Sequence, residues 1–96
     1  MKITIDQNKI DNICNKQNIV YLGFFGSQSR GEAGINSDVD MLIDFSETKS
    51  YFELSKVQEE LENIFKKKID LVLKSNVKKV LRQNIFRDLK TLYEKK

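Results

Sequence analysis

No histidine occurs in the 96 residues. Its absence removes histidine general bases, Ser-His and Cys-His nucleophile pairs and histidine-rich zinc sites. Chemistry must come from carboxylates, hydroxyls, lysine and arginine. Proline is absent as well, which fits uninterrupted helices and strands joined by short loops. The single cysteine, Cys14, can form no internal disulfide, so a reducing, cytoplasmic setting is expected. It stands near Ile10 and Ile13 and reads as a small core residue. No long hydrophobic run exists: the longest, Ile19 to Phe25, is far short of a membrane span, and Met1 to Asp6 lacks the apolar region of a signal peptide. Charge of one sign is also scarce. A formal net charge of +3 with 32% charged residues is too mild to argue direct nucleic-acid binding, and a solvated, lysine-rich surface is expected instead. The length makes one domain over residues 1–96, and 40% apolar content suits a folded core.

One stretch, Gly26 to Asp40, organises the rest. The apolar run Ile19 to Phe25 leads into it and Met41 to Phe45 leads out, so it reads as strand, Gly-Ser turn, short polar helix over 27–32, loop, strand. Asp38 and Asp40 open the second strand. Residues two apart on a strand share a face, about 6.5–7 Å apart. Two carboxylates that close repel unless a cation sits between them. Hard divalent ions such as Mg²⁺ take carboxylate oxygens together with substrate phosphates. The turn at Gly26 and Ser27 offers backbone N–H groups and a hydroxyl to a phosphate, although Ser27 also reads as an ordinary helix cap. Arg30 has two open readings, a phosphate contact or a pair with Glu32.

Around that stretch the chain reads simply. A first helix covers 6–17, capped by Thr4 with Gln7 or by Asp6. The second strand spans 38–45, with Val39, Met41, Ile43 and Phe45 on an apolar face and Asp38, Asp40, Leu42 and Asp44 on the other. Ser50 and Glu53 form a capping box that starts a helix to about Lys66, with Leu54, Val57, Leu61, Ile64 and Phe65 as its buried stripe. A third strand lies within 67–74 and carries Asp70 in an apolar setting. A charge there is costly unless paired or metal-bound, with the neighbouring lysines as the alternative partners. Asn76 is placed to cap a last helix bearing Val77, Val80, Leu81 and Ile85. Residues 89–94 fit either helix or strand. The expected architecture is α/β (α+β): two layers, a small mixed sheet with helices on one face and the carboxylates on the other.

The pattern Gly-Ser-x-x-Arg-Gly-Glu-Ala-x-x-x-Ser-Asp-x-Asp, from Gly26 to Asp40, resembles the signature of the DNA polymerase beta-like nucleotidyltransferase fold, in its short single-domain branch, the minimal nucleotidyltransferases. The likeness covers nearly the whole chain, with Gln28 and Ser29 departing from an aromatic-Ala pair common there. It implies a strand at 89–94. It implies that Asp38, Asp40 and Asp70 hold Mg²⁺, that Gly26 and Ser27 hold the β- and γ-phosphates of a nucleoside triphosphate, and that Asp70 assists the nucleophile. It further implies transfer of AMP from ATP to a hydroxyl, with release of pyrophosphate. The acceptor would be a tyrosine of a partner, a HEPN-type ribonuclease toxin for which such chains are antitoxins. Two alternatives stand beside this: neutralisation by binding alone, and a free enzyme modifying a small molecule such as an aminoglycoside. Three converging acids argue against the first and the short chain against the second. A homo-oligomer is compatible with all of them.

Overall fold

In a computed structural model the described residues are 6–26, 38–77 and 79–95. Helix α1, Gln7–Lys16, begins at Asp6, whose side chain accepts the Lys9 N–H at 3.3 Å. Ile10, Ile13 and Cys14 lie at helical spacing and are its buried residues. Strands β1, Ile19–Phe25, and β2, Val39–Phe45, pair antiparallel. Helix α2, Tyr51–Phe65, starts at the Ser50–Glu53 capping box and ends at Lys66, which adopts a left-handed φ of 57°. The chain then returns as β3, Ile69–Leu73, parallel to β2, which is the pairing that a helical crossover permits. A 3₁₀ turn, Lys74–Asn76, leads to α3, Lys79–Asp88, and to β4, Lys90–Glu94, antiparallel to β1. The mixed sheet has the order β3-β2-β1-β4.

Alternation along the strands divides the buried residues between two faces. One face carries Leu22, Phe24, Val39, Met41, Ile43, Ile69 and Leu92, packed with Ile10 and Ile13 of α1 and with Val57, Leu61 and Phe65 of α2. Fully burying each of the larger aliphatic side chains contributes roughly 1.5–3 kcal/mol. The opposite face is not bare. Tyr21, Leu42 and Val77 form a smaller cluster there, joined by half-buried Phe25, Val72, Ile85 and Leu89. Helices α1 and α2 thus cover one face as expected, while α3 brings Ile85 to the carboxylate face.

One local reading needs correction, and one left open is decided. Asn76 does not cap the last helix: it ends the 3₁₀ turn, and Val77 is extended and buried before α3 begins. The pull of Val77 into the second cluster outweighs the capping preference of asparagine. The open reading of 89–94 is decided as the resemblance implied: Lys90–Glu94 form β4, with Leu92 buried between exposed Thr91 and half-buried Tyr93, while Leu89 lies just before the strand. Each outer strand is also met by a glutamine from a helix. Gln58 Nε2 of α2 donates to the Ile69 carbonyl at 2.9 Å, and Gln7 Nε2 of α1 donates to the Leu92 carbonyl at 3.0 Å.

Candidate active site

Strand directions bring three segments to one end of the sheet. Because β1 runs against β2, the last residue of β1, Phe25, pairs with Asp40 near the start of β2. Because β2 runs with β3, Asp40 in turn pairs with Asp70. Paired residues on adjacent strands point their side chains to the same face. Asp40 and Asp70 therefore project together, on the face that carries Leu42 and Val72. Asp38 stands exposed just ahead of β2.

Asp40 is the constrained member. It is half-buried, and burial raises its carboxyl above the ordinary aspartate value. The charges of Asp70 and then Asp38 push in the same direction. Gly26, with a φ of +76°, turns the chain directly beside it. A Cβ on Gly26 would lie 2.6 Å from Asp40 Oδ2, so only glycine lets the backbone pass this close to the acid. The sequence pointed to Gly26 as a turn residue but gave no sign of its contact with Asp40.

Asp70 departs from its expected environment. It is exposed, not buried among apolar neighbours, because β3 is an outer strand of the sheet. The desolvation cost argued for it from local sequence does not arise. Ser27 and Arg30 lie outside the described residues, as do the short helix expected over 27–32 and the loop over 34–37.

The donor chemistry fits a hard divalent cation: oxygen donors only, two of them paired on adjacent strands, and one carboxyl raised by burial and by its acidic neighbours. Among the described residues, no group of three or more acidic or cysteine side chains is gathered so as to hold a metal ion, so Asp38 does not complete a three-acid cage in this arrangement. A groove of about 310 Å³ lined by Asp44, Glu47, Lys49 and Ser75 lies at the other end of β2 and contains none of these acids. Its Asp44 accepts the Phe45 N–H at 3.1 Å. Among the described residues no helix is long and apolar enough to cross a membrane.

Comparison with known proteins agrees with this fold. The family described as "Polymerase beta, Nucleotidyltransferase" matches residues 8–96. The chain is 40% identical over 68 residues to the protein adenylyltransferase MntA of Thermococcus cleftensis, covering 71% of this chain and 69% of that one. It is similar to a chain of a toxin–antitoxin crystal structure with AMP-PNP, with a TM-score of 0.77 and 23% identity over 96% of this chain and 76% of that one. A chain from the complex of tri-AMPylated Shewanella oneidensis HEPN toxin with MNT antitoxin gives a TM-score of 0.67 and 21% identity, covering 92% of this chain and 69% of that one. At such identities the two solved structures establish the fold. With acids paired at one end of the sheet and a match that runs from residue 8 to residue 96, the chain belongs to the polymerase beta nucleotidyltransferase family.

Proposed function

We propose that this chain, a single domain over residues 1–96, transfers AMP from ATP to a hydroxyl of a partner protein, a tyrosine by preference, and so acts in the cytoplasm as antitoxin to a HEPN-type toxin. The observation that carries the reading is the pairing of Asp40 with Asp70 on adjacent parallel strands, with Gly26 pressed against Asp40. The adenylyltransferase name of the Thermococcus relative, and the toxin and AMP-PNP in the structures of similar fold, point the same way.

In this reading Asp38, Asp40 and Asp70 hold Mg²⁺, which when bound neutralises triphosphate charge. The Gly26–Ser27 turn presents N–H groups and a hydroxyl to the β- and γ-phosphates, and Arg30 adds a charge-assisted contact. Asp70, exposed at the outer strand, is open to an incoming acceptor and accepts the proton of its hydroxyl. The hydroxyl oxygen bonds to the α-phosphorus, the bond from that phosphorus to the pyrophosphate oxygen breaks, and pyrophosphate leaves with the electron pair. Positioning and charge neutralisation supply most of the catalysis.

One observation favours the second reading, neutralisation by binding alone: no three described acids already form a cage. Mass spectrometry of a co-expressed HEPN partner separates the two. Adenylate mass on the partner with wild type, lost with Asp38→Ala/Asp40→Ala, supports transfer. An unmodified partner that both proteins silence equally well would falsify it.

A further inference from the structure

Among the described residues, the outer strand β3 is closed along half of its free edge and open along the other half. In the ladder to β2, the Val39 N–H donates to the Lys68 carbonyl at 2.9 Å. Backbone groups alternate in direction along a strand, so Lys68, Asp70 and Val72 face β2, whereas Ile69, Leu71 and Leu73 face outward. Ile69 is plugged. Its N–H donates to Glu62 Oε2 at 3.0 Å and its carbonyl accepts from Gln58 Nε2 at 2.9 Å. Tyr51, Ser55, Gln58 and Glu62 follow one another at helical spacing on the side of α2 that meets this edge. Only the last two carry the groups that fill it. The Leu73 carbonyl opens the 3₁₀ turn that follows. The N–H and carbonyl of Leu71 and the N–H of Leu73 therefore face outward, and none has a hydrogen-bond partner among the described residues. They border a groove of about 360 Å³ lined by Tyr51, Leu54, Leu71 and Leu73, with Tyr51 itself 85% exposed.

We propose that this open half-edge docks an extended segment of the acceptor protein as an added strand, and that the plug at Ile69 makes the segment leave the sheet beside Asp70. Unpaired main-chain groups over an apolar groove are met by another extended backbone with side chains for the groove. The edge runs from Leu73 toward Asp70, so pairing that stops at Leu71 delivers the next residues of the segment to the acids. A hydroxyl placed shortly beyond the paired stretch is presented for transfer. A second copy of this chain fits less well. Two plugged edges running antiparallel would set each plug against the other's Leu73 and leave one residue's worth of pairing. The inference rests on the transfer reading above and names how its protein substrate is held.

The test uses a synthetic peptide, acetyl-Thr-Val-Thr-Val-Gly-Tyr-Gly-amide, titrated to its solubility limit with the full chain, Mg²⁺ and ATP. Hydrogen exchange at the Leu71 and Leu73 amides, read by NMR, is expected to slow about tenfold with peptide. The variant Ser55→Gln extends the glutamine row by one turn at an exposed position that favours helix, and is expected to abolish the slowing. Leu73→Pro removes an outward N–H at a φ of −72° that proline adopts, and is expected to weaken it. No slowing with wild type, or equal slowing in wild type and Ser55→Gln, would overturn the docking proposal whether or not tyrosine is labelled. Slowing in wild type, lost in Ser55→Gln, with no adenylate on the tyrosine, would support the dock and count against the transfer reading alone.

Discussion

Asp40 and Asp70 face each other across the parallel β2–β3 pair, and Gly26 presses on Asp40 from the side of β1. Two negative groups held together on a folded sheet, one of them partly desolvated, oppose folding until something positive joins them.

Stability without metal should therefore depend on pH through Asp40. Its folded carboxyl lies above the value it has in the unfolded chain. The folded state then binds the proton more tightly, so stability falls as pH rises from about 4, the ordinary aspartate value, through the raised one, and is level above it. In Asp40→Asn this decline should vanish, with a melting temperature at neutral pH equal to or above wild type. Thermal melts across that range, without metal, check it. A melting temperature several degrees lower in the variant would instead give Asp40 a structural role.

ATP and Mg²⁺ should bind cooperatively. Mg²⁺ alone should bind weakly, because the described acids form no closed cage, and ATP should strengthen it by adding phosphate oxygens. Isothermal titration with ATP, with and without Mg²⁺, reads this directly. Equal ATP affinity in both conditions would remove the metal bridge from the mechanism.

Gly26→Ala should separate activity from stability. A left-handed φ costs a non-glycine residue about 1–2 kcal/mol. The new Cβ also meets Asp40 Oδ2, which must move. The expected result is a melting temperature lowered by a few degrees and transfer reduced by much more than that loss explains. Single-turnover labelling at a temperature where both proteins remain folded measures it.

Cys14 should be inert in the native protein. Burial, with Asp11 nearby, pushes its thiol up to about 12, so almost no thiolate exists at neutral pH. Alkylation by iodoacetamide should proceed only in denaturant. Labelling at the rate of a free thiol in native buffer would contradict the burial seen for α1.

Ser50→Ala removes half of the capping box at the start of α2. About 1 kcal/mol of stability should be lost, a typical cost for such a cap. Urea denaturation gives the value, and an unchanged midpoint would mean that α2 is held by its packing alone.

Much of this fold was legible because its elements carry strong local patterns. The buried spacing of Ile10, Ile13 and Cys14, the continuous apolar run of β1 and the Ser50–Glu53 box each set their element. What could not be read was set by partners distant in sequence. Asp70 looks buried in sequence because its neighbours are apolar, yet β3 is an outer strand and leaves it exposed. Val77 looks helical by spacing, yet Tyr21 and Leu42 draw it into their cluster. The spacing of Asp38 and Asp40 was plain, whereas the closeness of Gly26 to Asp40 depends on where β1 ends against β2.

The crossover through α2 has a consequence for how the molecule assembles. Asp40 meets Asp70 only once β3 has docked beside β2, since α2 lies between them in the chain. Their repulsion therefore plays no part in the β1–β2 pairing and falls on the closure of β3 across α2, a contact of greater sequence separation and so of the slower kind. Refolding should then be faster at mildly acid pH or with Mg²⁺ present, with β3 the segment that gains. The paired acids would then act, while the protein forms, as a brake that a bound cation releases.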